Sequence, residues 1–135
     1  MNYESECDTL QKLLLTGSGG AMGALARYGI SLLVPSSGVP IPYNTLFING
    51  IGSFILAFLT YSLFKNEGNE RLKLFFGTGL CGGFTTMSSF ALEITNLAAT
   101  DPLYSLIYFF LSMIAGLLMA WLGFIMSSWI KREAR

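Results

Sequence analysis

Histidine is absent from this 135-residue chain, and cysteine occurs only twice. Without an imidazole, the usual metal-site spacings and the Ser-His and Cys-His pairings of nucleophilic catalysis have nothing to build on. Cys7 lies in a polar N-terminal stretch and Cys81 inside an apolar run. That is a poor geometry for a pair, so no structural disulfide is expected. Charge is scarce too: 12% of the residues are Asp, Glu, Lys or Arg, eight of each sign, and the net charge is zero. Nothing in that balance points to nucleic acid. The opening MNYESECDTLQK carries Glu4, Glu6 and Asp8, the reverse of the basic start of a signal peptide, so the first apolar span is expected to be retained.

Apolar residues make up 53% of the chain. Stretches reaching the roughly 20 residues that span a bilayer fall at about 11–34, 43–64, 72–98 and 102–130. The expectation is therefore an all-α, multi-pass membrane protein forming a single domain over residues 1–135. The connections are short: PSSGVPIPYN holds three prolines and a glycine, KNEGNERLK is charged and turn-prone, and TDPL offers Asp101 as an N-cap before Pro102. They leave no room for a soluble domain. Four spans place both termini and the middle connection on one side, where Lys12, Lys65, Arg71, Lys73, Lys131, Arg132 and Arg135 lie, and the loops opposite carry no Lys or Arg. That side is expected to be cytoplasmic, in the cell membrane.

Small residues recur four apart, as Gly19 and Gly23, Gly20 and Ala24, then Ser112, Gly116 and Ala120. Such stripes let helix backbones approach closely in lipid, within one subunit or between two. Four thin spans enclose little volume, and a pathway is more easily built between two copies than inside one.

The stretch GLCGGFTTMSSFALE, residues 79–93, sets Gly82, Gly83, Thr85, Thr86, Ser88 and Ser89 inside the third apolar segment. Non-helical backbone at membrane depth persists only where protein, water or an ion satisfies it. The pattern predicts a third span broken at the glycines, with Thr85 and Thr86 capping a helix that restarts. Freed carbonyls of the first half suit a small cation. The alternative is that Gly and Thr only assist tight helix packing. Met87 and Phe90, three apart, share a helix face, with Ser88 and Ser89 turned to neighbouring faces. They are either packing residues or the border of an anion path, since an aromatic ring presents a positive edge.

In the second span Thr45, Asn49 and Ser53 form one stripe, and in the last Tyr108, Ser112 and Gly116 form another. Asn49 offers N–H donors and Thr45 a hydroxyl, which a strongly hydrated anion needs in exchange for water. Hydroxyls can also bond back to their own helix, the plainer reading for Ser53 or Ser112 alone. Arg27 and Glu93 are ionisable groups inside the spans and functional candidates for that reason. Arg27 is close enough to its span end to snorkel or to line a vestibule.

Three segments, GGAMGALARYG (Gly19–Gly29), TLFINGIGSF (Thr45–Phe54) and GLCGGFTTMSSFALE, follow one another in this order. They resemble the signature segments of the CrcB/Fluc fluoride channels, and the resemblance covers nearly the whole chain. It implies a four-helix subunit with a broken third helix, in an antiparallel dual-topology dimer that exports toxic fluoride passively. It also implies a structural Na+ ion at the dimer interface, held by backbone carbonyls of Gly82 and Thr85. Asn49 then resembles the pore asparagine, Arg27 the vestibule arginine, Glu93 the glutamate after the aromatic motif, and Tyr108 the pore tyrosine. Thr45, Ser88, Ser89 and Ser112 resemble the polar track. Phe90 matches one phenylalanine of the aromatic box, and Met87 stands where the family has the other. The second subunit is either a copy of this chain or, given seven Lys and Arg against none, an oppositely oriented paralogue.

Two other classes remain open at this level. A proton-coupled exporter of small molecules or drugs would use Glu93 as its exchange site. A membrane enzyme would need Cys81 as nucleophile, with no histidine base to activate it.

Overall fold

The computed structural model describes residues 3–34, 41–62 and 70–133. Lys65, Arg135 and most of the first two expected connections lie outside the described residues. Among the described residues every element is helical: α1 (Tyr3–Leu33), α2 (Tyr43–Ser62), α3 (Glu70–Leu72), a π-helix (Lys73–Cys81), α4 (Gly82–Phe84), α5 (Met87–Thr100) and α6 (Pro102–Glu133).

Local chemistry sets the boundaries. α2 begins directly after Pro42, which cannot donate a backbone hydrogen bond. Asp101 is extended and turns its Oδ1 onto the first turn of α6, accepting from the N–H groups of Leu103 at 3.0 Å and Tyr104 at 3.3 Å. With Pro102 in the first helical position, this is the start signal that TDPL predicts. Thr86 caps α5 in the same way, its side chain accepting from the Ser89 N–H at 3.1 Å.

The expected interruption at Gly82 and Gly83 does not occur there. Gly82 is helical, at φ −65° and ψ −38°, and α4 continues through Gly83 to Phe84. The extended residues are Thr85 (φ −74°, ψ 156°) and Thr86 (φ −141°, ψ 117°). Both conformations are open to any L-residue, so no glycine is needed. Gly83 serves a different purpose: a Cβ at this position would run into the backbone carbonyl of Gly20 on α1. The Gly19, Gly20 and Gly23 stripe is thus used within the subunit, where α1 packs on the π-helix and α4.

α2 makes its main contact with α6, and α5 also lies on α6. Among the described residues the buried apolar core is thin, consisting of Ile48, Cys81, Phe84, Phe90 and Tyr108. Large apolar side chains face outward in far greater number, Leu25 at 69% exposed, Leu117 at 70% and Trp129 at 72% among them. An apolar surface of this extent belongs in lipid. α2 over Tyr43–Ser62 and α6 over Pro102–Ile130 are each long and apolar enough to cross a membrane.

Candidate functional site

Two extended residues between helices leave backbone groups without helical partners, and those groups must find others. At Thr86 the partner is Asn49 on α2. Thr86 N–H donates to Asn49 Oδ1 at 2.8 Å, and Asn49 Nδ2 donates to the Thr86 carbonyl at 3.0 Å. An N–H can only donate, so this pairing fixes which end of the amide faces it. Gly52, further along α2, keeps the approach open, because a Cβ there would collide with Thr85 Cγ2. Sequence reasoning passed over Gly52, although the spacing in NGIGS carries it.

Thr86 is also the centre of a hydroxyl cluster. Its Oγ1 donates to Ser89 Oγ at 3.0 Å and lies 3.3 Å from Ser88 Oγ. Thr85 turns the other way: its N–H and its hydroxyl both donate to the Cys81 carbonyl, at 3.0 and 2.9 Å.

Glu93 anchors a second constellation. Its Oε1 accepts from the Thr45 hydroxyl at 2.6 Å and its Oε2 from the Tyr108 hydroxyl at 2.7 Å. One carboxylate therefore ties α5 to both α2 and α6. The Tyr108 ring packs against Phe90, with centroids 5.4 Å apart and planes inclined by 54°. Phe90 is thus the wall between this clamp and the cavity described next.

A cavity of about 740 Å³ lies between α2, α6 and the segment around Thr85. Its polar lining comes from Asn49, Ser53, Thr78, Thr85, Thr86 and Ser112, beside Met87 and Phe90. No Asp, Glu, Lys or Arg is among its described lining residues. The α2 and α6 stripes run side by side here, since a Cβ on Gly116 would sit 3.8 Å from Ser53 Oγ. Met87 and Phe90 do share a face, but Phe90 is only 6% exposed and Met87 73%. The cavity is open on the Met87 side.

The structure thus brings Asn49, Met87, Phe90 and Ser112 to the cavity, with Gly82 and Thr85 on its wall. Thr45, Glu93 and Tyr108 gather behind Phe90, and Ser88 and Ser89 belong to the cap of α5. Arg27 stands apart, half-exposed on α1, its carbonyl accepting from the Ser31 hydroxyl at 3.0 Å.

Among the described residues no three His, Cys, Asp or Glu side chains group to hold a metal. Backbone carbonyls are the remaining donors. In an unbroken α-helix the Thr86 N–H would donate to the Gly82 carbonyl, but here it is bound to Asn49. The ψ of 156° at Thr85 turns that residue's carbonyl out of the helical direction. Both carbonyls fit a small hard cation, which takes oxygen ligands of this kind.

Comparison with known proteins gives a match to the family described as CrcB-like protein, Camphor Resistance (CrcB), over residues 14–124. The chain is 40% identical over 119 residues to a fluoride-specific ion channel FluC of Thermosipho melanesiensis, covering 85% of this chain and 94% of that protein. It is 40% identical over 129 residues to a fluoride-specific ion channel FluC 2 of Halalkalibacterium halodurans, covering 93% and 95%. A FluC protein of Methanocaldococcus jannaschii is 43% identical over 116 residues, 84% of this chain and 92% of its own length.

Proposed function

The chain belongs to the CrcB-like protein family, and from that premise we propose that it is a fluoride-selective channel through which toxic fluoride leaves the cell passively. The observation that carries this reading is the uncharged cavity in which Asn49, Ser53, Thr86 and Ser112 stand beside the Phe90 ring. Fluoride holds its water tightly and gives it up only to comparably good donors. Amide and hydroxyl groups supply these without a full positive charge that would trap the ion, and the positive edge of an aromatic ring borders the path. Arg27 draws anions into a vestibule, Asn49 and Ser112 replace water, Ser88 and Ser89 hold the helix cap beside that track, and Phe90, with Met87 beside it, lines the passage while Thr45 stands behind it on Glu93. Tyr108 and Glu93 support that wall from behind.

A negative-inside potential drives an anion outward with about 2.3 kcal/mol per charge per 100 mV. Export therefore needs no coupled reaction, and the protein is not an enzyme. The exporter alternative asks Glu93 to be a free exchange site at a substrate cavity. Its two oxygens are engaged by Thr45 and Tyr108, and it does not line the cavity, which favours a clamp.

The finer architecture is part of the same proposal. The subunit crosses the cell membrane four times, with the third span broken at Thr85 and Thr86. Two subunits pair antiparallel, the second being this chain or an oppositely oriented paralogue. Gly82 and Thr85 carbonyls hold Na+ at the interface, where the ion would neutralise the carbonyl dipoles and fix the break. The open Met87 side of the cavity is the face that the second subunit covers.

Liposomes loaded with potassium fluoride and containing the purified chain test the function. With valinomycin as the potassium shunt, a fluoride electrode is expected to record rapid efflux, absent with Asn49→Ala and absent for chloride in matched vesicles. Efflux that requires an imposed proton gradient would instead support the exporter. If the chain alone is silent and an oppositely oriented paralogue restores efflux, the partner is the paralogue; silence with both sinks the channel reading.

A further inference from the structure

We infer that Asn49 is a positioning residue for the cation site, acting through the Thr85–Thr86 peptide as well as serving the anion path. The inference rests on the sodium site proposed above. The Thr85 carbonyl and the Thr86 N–H belong to one rigid, planar peptide unit. Whatever holds that N–H also aims that carbonyl. The holder is Asn49 Oδ1, at 2.8 Å. Nothing on the near side of Thr85 does the same work, because its own N–H and hydroxyl are both spent on the Cys81 carbonyl.

The second ligand depends on the same contact. The Thr86 N–H is the natural helical donor to the Gly82 carbonyl, so Asn49 keeps that carbonyl free by taking the N–H for itself. The Asn49 Nδ2 bond to the Thr86 carbonyl, at 3.0 Å, pins the next peptide too and closes a two-point grip across 37 residues of sequence. A primary amide has two N–H donors. One is committed to Thr86, and the other is available to the cavity that Asn49 lines. A single side chain thereby joins the anion path to the break that shapes the cation ligands. Removing Asn49 lets the Thr86 N–H return to Gly82, and both carbonyls lose their aim together.

The test reads sodium binding independently of conduction. Purified protein in detergent is unfolded thermally at increasing NaCl, with N-methyl-D-glucamine chloride keeping ionic strength constant. Wild type is expected to show a midpoint that rises with Na+, as for any ligand bound only by the folded state. Asn49→Leu removes both hydrogen bonds without adding charge and is expected to lose the sodium-dependent rise. Asn49→Asp keeps an acceptor for the Thr86 N–H and is expected to retain it, which covers the case in which the leucine variant fails to fold. The inference is overturned if folded Asn49→Leu keeps the full sodium response, if folded Asn49→Asp loses it, or if wild type has none. Fluoride efflux by wild type from the same preparation reports on the channel reading separately. A preparation that conducts fluoride without any sodium response overturns this inference and leaves that reading standing.

Discussion

A carboxylate inside an apolar protein is expensive unless its oxygens are hydrogen-bonded, and at Glu93 each oxygen has its own hydroxyl donor. Thr45 comes from α2 and Tyr108 from α6, so two helices share the cost of one charge. Removing either hydroxyl leaves one oxygen served. Removing both leaves an unserved anion. Thr45→Val and Tyr108→Phe are each expected to destabilise the purified protein by about 1–3 kcal/mol, and the double variant should depart from additivity by about 0.5–3 kcal/mol. Denaturant unfolding of the four proteins measures the coupling, and strictly additive losses would mean that the hydroxyls act independently. Glu93, Thr45 and Tyr108 each stood out in the sequence, as a costly charge and as members of two polar stripes. Their convergence did not, because it depends on how α2 and α6 pack on α5.

At the scale of elements, the polar run of residues 82–89 announced that a helix could not pass through unchanged, and Thr86 does cap the helix that follows. The site of the change was misplaced because glycine has two uses that look alike in sequence. One is an unusual backbone conformation; the other is room for a neighbouring backbone, and Gly83 is the second kind, lying against the Gly20 carbonyl. Gly83→Ala is accordingly expected to cost about 1–3 kcal/mol through overpacking. Gly82→Ala, where the backbone is already helical and a Cβ would meet nothing within 4 Å, is expected to leave the unfolding midpoint no lower and to raise stability by about 0.4–1 kcal/mol. Equal effects would contradict the packing assignment. The π-helix of Lys73–Cys81 could not be foreseen, since a nearly continuous apolar run fits i→i+4 and i→i+5 winding equally well. Nor could Asn49's grip on Thr86, which joins elements distant in the chain and takes one of the amide's two N–H donors, leaving the other for the pore.

For the whole molecule, few large apolar side chains are buried and many are exposed, so one subunit has little interior of its own. A lipid surround suits the apolar surface that the fold leaves open, and in the proposed dimer a second subunit covers the cavity beside Met87. In that proposal a short chain forms a route for an ion because the walls need not all come from one copy. The outward-facing apolar surface was legible early, from a chain that is 53% apolar and only 12% charged. The central claim is that the route carries fluoride by simple electrodiffusion. The most direct test is the zero-current voltage of a planar bilayer containing the protein, with a fluoride gradient imposed at equal chloride and equal pH, and then with a pH gradient added. The account predicts a voltage that follows the fluoride equilibrium potential and does not move with pH. A voltage set by chloride, or one that tracks the proton gradient, would contradict it.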